Sequence, residues 1–467
     1  MASEKGKRAA FYTLGCKVNQ QETAALQEVF RQHGYEIVGF NNSADVYIIN
    51  TCTVTHLADR KSRQMIRRAT GRNPDAVVAV VGCYAQINPE EVLSIPGVDV
   101  VVGTQDRGML VRLVEEAARQ KAGSASPEAA PKINAVRSIQ EKPVFEELPI
   151  PDNRSRTRAF LKIQDGCDQY CAYCIIPYAR GPLRSLRPEL VRERIEQLLE
   201  AGYREIVLTG IHTSAYGRDL PDGIDLAGLL RMLSGLPGEF RLRLSSVEPA
   251  DVSEELLEVM ASSERFCRHL HIPLQSGDDG VLKRMRRPYT TGEYRSLFET
   301  ACRKIPGLAV TADVMVGFPG ESEEEFENSY RFISSLPFRD LHVFKYSPRP
   351  GTAAAALPDQ IPPEIKERRS ARLLRLADEL SKAFAKRFLG QVLAVLVERR
   401  ASGRQGCWEG LTDNYLRVVF AGPPGENGLR GAFLPVRLTE PGEGDTLWGE
   451  PVVSFPVDSR HSKSVIK

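Results

Sequence analysis

The chain has 467 residues, 42% of them hydrophobic and 26% charged, which is too long for one ordinary domain and apolar enough for two to four cores. Lys and Arg number 62 against 60 Asp and Glu, so the overall charge selects no class of partner and any nucleic-acid contact has to come from local patches. No apolar run approaches the roughly 18 residues of a membrane span, and Met1-Ala-Ser-Glu-Lys-Gly-Lys7 carries no apolar signal segment. A soluble, cytoplasmic protein with reduced thiols is expected.

From residue 11 to about 120, short apolar runs alternate with helix-like stretches, the mark of a parallel α/β layer, so residues 1–120 read as a first domain. Three cysteines follow its strand-like runs: Cys16 after 11–15, Cys52 after 46–51 and Cys83 after 77–82. The carboxyl ends of parallel strands line one crevice where ligands bind, so the three thiols are expected to converge. A shared metal site fits this placement, and three thiolates suggest an iron-sulfur cube with one free iron. A disulfide plus a spare thiol and a lone catalytic cysteine remain as alternatives. The helical stretch after Cys52 carries Arg60, Lys61, Arg63, Arg67, Arg68 and Arg72 against the single acid Asp59. Arg60, Arg63 and Arg67 share one face by the three-and-four rule, giving either a solvated face or a phosphate-binding surface.

Residues 121–152 read as a linker, since 121–131 is rich in small residues and proline. A second, longer alternation fills 153–388, with strands expected at 159–164, 205–210, 240–246, 268–274, 308–317 and 340–346 and helices such as 188–201 between them. Six strand-helix units are too few for a complete eight-fold barrel, so a partial (β/α)6 barrel is predicted. Within it lies Cys167-Asp-Gln-Tyr-Cys171-Ala-Tyr-Cys174. Three thiolates at this spacing hold three corners of a [4Fe-4S] cube and leave one iron without a protein ligand. Zinc fits less well, because the loop supplies three ligands and no nearby histidine. Cys267, Cys302 and Cys407 read as ordinary core cysteines. After a charged helical stretch at 363–389, residues 389–456 break into short runs at 391–398, 410–420 and 429–438 separated by Gly and Pro, a small all-β module.

The cysteine loop, with Tyr173 just before its last cysteine, resembles the signature of the radical S-adenosylmethionine enzymes. Thr13-Leu-Gly-Cys-Lys-Val-Asn19, Asn50-Thr-Cys-Thr-Val-Thr55, Val81-Gly-Cys-Tyr-Ala-Gln86 and the stretch from Gly166 to Gly181 together resemble the methylthiotransferases of that superfamily over nearly the whole chain. The resemblance implies an amino-terminal three-cysteine domain, a central radical barrel and a carboxyl-terminal TRAM barrel, an α/β fold overall. It implies a [4Fe-4S] cluster on Cys16, Cys52 and Cys83, a second on Cys167, Cys171 and Cys174, and S-adenosyl-L-methionine as cofactor. Leu208-Thr-Gly-Ile-His212 and 411–420 are most similar to the branch that methylthiolates N6-threonylcarbamoyladenosine at tRNA position 37. Action on N6-isopentenyladenosine or on a ribosomal protein side chain is the alternative within the family, and a non-catalytic iron-sulfur RNA-binding sensor the alternative outside it.

Partners implied are a tRNA with a modified adenosine beside the anticodon and an electron donor such as a flavodoxin or ferredoxin. Cofactor contacts are expected from Tyr173, Thr209, Gly210, Ser246, Glu248 and Gln275 at barrel strand ends, with Gly317-Phe-Pro-Gly320 admitting the adenine closely. His212, His269 and His271 read as structural. RNA contacts are expected from Arg60, Arg63, Arg67, Arg184, Arg400 and Trp408, with Arg399, Arg404 and Tyr415 beside them and 283–287 as a second basic patch. One departure is Arg184-Ser-Leu186 where relatives carry Arg-Ser-Arg, which removes a cation beside Arg187.

Overall fold

Largely apolar β-strands flanked by amphipathic helices build the first third of the chain, and the computed structural model describes residues 6–124, 126, 130–139, 144–151, 157–422 and 428–452. In order the elements are β1 (Arg8–Thr13), α1 (Lys17–Gln32), β2 (Glu36–Val38), β3 (Val46–Thr51), α2 (His56–Thr70), β4 (Val77–Gly82), α3 (Cys83–Ile87), α4 (Pro89–Ser94), β5 (Val100–Val102), α5 (Leu110–Gly123) and β6 (Ile133–Asn134). They form one sheet in the order β2-β1-β3-β4-β5-β6, every pair parallel. Every residue of β3 and β4 is buried, because helices cover both faces, as parallel sheets require. Val77, Ala79 and Val81 enter the core on one face and Val78 and Val80 that on the other. β6 lies in the stretch read from sequence as linker and instead extends the sheet beside β5.

The central unit runs β7 (Arg158–Lys162), β8 (Gln164–Asp165), α6 (Ile176–Arg180), β9 (Arg184–Ser185), α7 (Pro188–Glu200), β10 (Glu205–Thr209), α8 (Leu226–Ser234), β11 (Arg241–Leu244), α9 (Glu254–Ala261), β12 (His269–His271), α10 (Asp279–Arg284), α11 (Thr291–Lys304), β13 (Ala309–Val316), α12 (Glu323–Ser334), β14 (Asp340–Lys345) and α13 (Pro363–Lys386). Parallel strands β7-β10-β11 and β12-β13-β14 form two sheets, joined by parallel bridges at Leu242–Phe266 and Ser246–His271. Six strand-helix units thus curve into a partial barrel, with β7 and β14 at its open edges. Leu161, Ile206, Leu208, Leu242, Leu244, Leu270, Val310, Ala312 and Val314 pack outward in one core with the helices. By the two-residue alternation, Lys162, Glu205, Thr209, Arg243, His269, His271, Thr311, Asp313 and His342 face the barrel interior.

The last unit is a closed five-stranded barrel of β15 (Val392–Arg400), β16 (Cys407–Thr412), β17 (Arg417–Ala421), β18 (Phe433–Pro441) and β19 (Thr446–Pro451), in the order β15-β16-β17-β19-β18. The apolar run at 410–420 is two strands around a tight turn with Tyr415 at φ 64°. That turn plugs the amino-terminal end of the partial barrel. Arg268 pairs with Asp413 at 2.6 Å, Arg241 donates to the Leu411 carbonyl at 2.9 Å, and the Arg243 guanidinium lies 4.0 Å from the Tyr415 ring centre.

Glu205 anchors this floor, accepting from Arg241 at 2.6 Å and Arg243 at 2.7 Å while fully buried. Burial alone pushes its carboxyl up, but Arg243, Arg241 and Arg158 hold it down at about 2. A carboxyl depressed from 4.5 contributes stability that is present above that value and is lost as pH falls toward 2. Glu205→Gln strands two buried guanidinium groups and is expected to cost about 3–5 kcal/mol in urea unfolding at neutral pH. The same variant should show a flatter loss of stability than the parent between pH 4.5 and 2.

Candidate functional site

Cys16 caps α1 just beyond β1, Cys52 follows β3, and Cys83 opens α3 at the end of β4, so the three lie at neighbouring strand ends as the pattern predicts. The approach is close: Gly15, at φ 103°, would place a Cβ 3.1 Å from the Cys52 sulfur, which reserves the position for glycine. Burial pushes the Cys52 thiol up to about 12, with the charges of Cys83 and Cys16 adding to it. Burial raises Cys83 as well, and Arg180 beside it works in the opposite direction.

The second triplet sits in the loop between β8 and α6, at the carboxyl end of the barrel strands. Gly166 permits the turn into it, since a Cβ there would lie 1.9 Å from the Pro182 carbonyl oxygen. Arg287 donates to the Cys171 sulfur at 3.2 Å, hydrogen-bonds Glu248 and meets the Tyr289 hydroxyl at 3.1 Å. His212 Nδ1 lies 3.8 Å from the Cys167 sulfur, and its Nε2 lies 2.6 Å from Asp251. Burial opposes charge on this ring, but Asp251 and the Cys167 sulfur lift it to about 9. Burial raises both Cys171 and Cys174, so these thiols ionise only against supplied positive charge such as a metal centre.

Among the described residues, no three cysteine sulfurs lie within 4.8 Å of one another. Tetrahedral zinc would draw its sulfurs to about 3.8 Å apart.

A buried ion network joins the two triplets. Glu22 of α1 meets Arg180 of α6 at 2.9 Å, Lys162 of β7 at 3.1 Å and Arg107 at 2.5 Å. Arg180 also pairs with Asp165 at 3.0 Å and donates to Asn19 at 2.6 Å. On the far side of Cys52, Arg349 donates to Thr53 and pairs with Asp59, both at 2.7 Å, tying that loop to the segment after β14.

The residues expected to contact cofactor share the cysteines' end of the barrel. Thr209 and Gly210 end β10, Ser246 and Glu248 follow β11, Gln275 follows β12, and Tyr173 lies within the cysteine loop. Gln275 is held left-handed at φ 64° by backbone bonds to Asp313 and Met315. Glu248 is already engaged by Arg287. At Gly317 the close approach is to protein: a Cβ would lie 2.4 Å from Cγ of Lys366, so the missing side chain accommodates the stem of that lysine on α13.

Profiles of the Radical SAM superfamily and of the Uncharacterized protein family UPF0004 match residues 161–333 and 8–103. The chain is 46% identical to the threonylcarbamoyladenosine tRNA methylthiotransferase MtaB of Bacillus subtilis, over 93% of this chain and 94% of that one. It belongs to the radical S-adenosylmethionine methylthiotransferase family. A protein of the same name from Aquifex aeolicus is 38% identical over 89% and 97% of the two chains. A tRNA-2-methylthio-N(6)-dimethylallyladenosine synthase of Moorella thermoacetica is 36% identical over 91% and 94%. The methyltransferase TsrM of Kitasatospora setae, solved with cobalamin and a [4Fe-4S] cluster, shares the fold at a TM-score of 0.54 and 15% identity, over 75% of this chain and 77% of that one. Membership makes a [4Fe-4S] cluster and S-adenosylmethionine this methylthiotransferase's cofactors. No helix among the described residues is long and apolar enough to cross a membrane.

The structure leaves only some of the residues expected to contact RNA exposed. Arg60 and Arg67 stand exposed on α2, but Arg63 is half-buried and bonded to Tyr84 at 3.0 Å and Glu91 at 3.1 Å. Arg184 is buried, donating to the Arg180 carbonyl at 2.8 Å and pairing with Asp165 at 3.3 Å, so it braces the cysteine loop instead of facing solvent. Trp408 is buried in the small barrel and covered by Arg400, 4.2 Å from its ring centre, so it offers no face to a base. Tyr415 is likewise used in the floor. Within 283–287, Lys283 and Arg286 are exposed, Arg284 pairs with Glu325, and Arg287 serves the Cys171 sulfur. Leu186 packs in the main core, so that position points inward.

What the sequence did not reveal is a cleft of about 980 Å³ between α1, β7 and the small barrel, lined by Arg158, Arg399, Arg400, Arg417 and Arg430 with Gln20 and Phe160. These arginines are scattered along the chain and meet only once the small barrel closes. Arg287, His212 and the Glu22–Arg180 network also escaped the sequence, because their partners lie tens of residues away or more.

Arg180→Met removes from buried Glu22 and Asp165 one of the two cations they share, the other being Lys162, and is expected to cost about 3–5 kcal/mol. Urea unfolding of the as-isolated protein checks this, and Arg60→Met on exposed α2 should change the same midpoint by less than about 0.5 kcal/mol.

Proposed function

We propose that this protein replaces the C2 hydrogen of N6-threonylcarbamoyladenosine at tRNA position 37 with a methylthio group, using two [4Fe-4S] clusters. Cys167, Cys171 and Cys174 would hold one cluster, and Cys16, Cys52 and Cys83 the other. The observation that carries the reading is the pair of cysteine triplets held together by Glu22 and Arg180, in a chain 46% identical to a relative named for this reaction. When bound, the clusters and S-adenosylmethionine supply one-electron chemistry at a C–H bond that no side chain of ordinary basicity deprotonates.

The protein's own residues bind and position. Arg287 stabilises the Cys171 thiolate by hydrogen bonding and orients Glu248 beside it. Tyr173, Thr209, Gly210, Ser246, Glu248 and Gln275 line the cofactor's place at the strand ends. Arg60 and Arg67, with the arginines of the large cleft, take the tRNA phosphates. A flavodoxin or ferredoxin supplies electrons. The 36% identical Moorella relative makes the dimethylallyl substrate the competing assignment.

Anaerobically reconstituted protein is expected to hold about eight irons, four per cube, and the Cys167→Ala, Cys171→Ala, Cys174→Ala variant about half that. Stoichiometric zinc with little iron defeats the cluster assignment. In parallel, mass spectrometry of nucleosides should find the methylthio product from tRNA carrying N6-threonylcarbamoyladenosine and little from tRNA carrying N6-isopentenyladenosine. Turnover of the isopentenyl form alone reassigns the substrate while the reaction class stands.

A further inference from the structure

Above its floor the barrel interior holds a polar cluster of His271, Asp313 and His342. His271 Nε2 and His342 Nδ1 each lie 3.3 Å from the same Asp313 oxygen, and their rings stack with centres 5.4 Å apart. His271 Nδ1 is fixed by Thr311 at 2.9 Å. His342 is on edge strand β14 with its side chain 55% exposed, so with Nδ1 turned to Asp313 its Nε2 is left for a ligand. Two residues on, and therefore on the same face, Phe344 is 47% exposed, an unusual position for a large apolar ring. Lys17 opens α1 two residues after Gly15, which abuts Cys52, and the loop after Cys52 is tied by Arg349 to the segment following β14; this brings the Lys17 charge toward His342, whose positive charge it opposes. Lys17 is half-buried and makes no ion pair or hydrogen bond among the described residues.

We propose that Lys17 and His342 form a receptor for a carboxylate on the N6 substituent of the substrate base, with Asp313 and His271 orienting the imidazole and Phe344 stacking against the base. The inference rests on the substrate reading above. A cation site is the other use of two histidines and an aspartate. It is disfavoured here because Lys17 would face the ion and both imidazoles already address the single Asp313 oxygen. A carboxylate satisfies what is left over: an unpaired ammonium, and an imidazole drawn toward its charged form by its bond to Asp313, against burial and the Lys17 charge and with Asp340 assisting. An aromatic face beside those donors is how unstacked bases are held in single-stranded RNA recognition.

The test uses the reconstituted full-length protein and one tRNA in two forms, with the threonylcarbamoyl carboxylate free or converted to its methylamide. The parent protein should bind the acid about tenfold more tightly than the amide, the worth of a charge-assisted hydrogen bond. In Lys17→Met and His342→Gln, that ratio should collapse toward one. Equal binding of acid and amide by the parent, or an undiminished ratio in variants with parental iron content, overturns the receptor. Should both variants lose iron, the parent's acid-to-amide ratio decides alone. If the parent methylthiolates the acid form but does not distinguish it from the amide, only the receptor fails. No turnover of the acid form, with turnover of isopentenyl tRNA, is instead the failure of the substrate reading.

Discussion

One buried carboxylate holds the two halves of the site in register. Glu22 is completely buried on α1, six residues after Cys16, and gathers Arg107, Arg180 and Lys162 around it. Burial alone would push its carboxyl up, but those three cations hold it far below the usual carboxylate range. Breaking such a network exposes uncompensated charge in a low-dielectric interior, so the domains cannot slide apart without a large penalty. Arg180 is the hinge pin, since it lies six residues after Cys174 and beside Cys83. The separation between the two triplets is therefore set by charge pairing across the domain contact.

The same logic recurs at the opposite end of the radical barrel. Its interior is polar from floor to mouth, and at the floor the inward charges are matched by neighbours on adjacent strands and by the plugging turn at Asp413 to Tyr415. Stability comes from the outward apolar face against the helices, which leaves the inward face free to carry chemistry. The small barrel closes the floor and, together with β7 and α1, shapes the arginine-lined cleft. Cleft and barrel floor are thus built by the same small barrel.

Arginine does three separate jobs here. Arg180, Arg184 and Arg349 are buried braces around the cysteine loops, Arg287 addresses the Cys171 sulfur, and Arg60 and Arg67 are exposed. Guanidinium suits the buried roles because its planar fork serves several acceptors at once and stays charged when desolvated. The neutral overall charge conceals this division, since each buried cation is balanced nearby.

The order of strands and helices, the three units and the six cysteines of the two triplets were legible in the amino-acid sequence, because apolar periodicity and cysteine spacing are local properties. Cys16, Cys52 and Cys83 were readable as a set for the same reason: each follows a strand, and parallel strands end on one side. The two- and three-residue strands β2, β5, β6, β8 and β9 were missed as too brief for periodicity to resolve, and β19 and the turn at Thr412 to Tyr415 within 410–420 were missed as well. Exposure was beyond reach. Arg184 and Trp408 look like surface groups in sequence yet are buried, while Phe344 looks like core yet is half-exposed. A side chain's partners are set by which strand ends and turns meet in space. Asp165 for Arg184, Arg400 for Trp408 and Cys171 for Arg287 arrive only when loops distant in the chain close over the same volume, and that the tertiary structure alone decides.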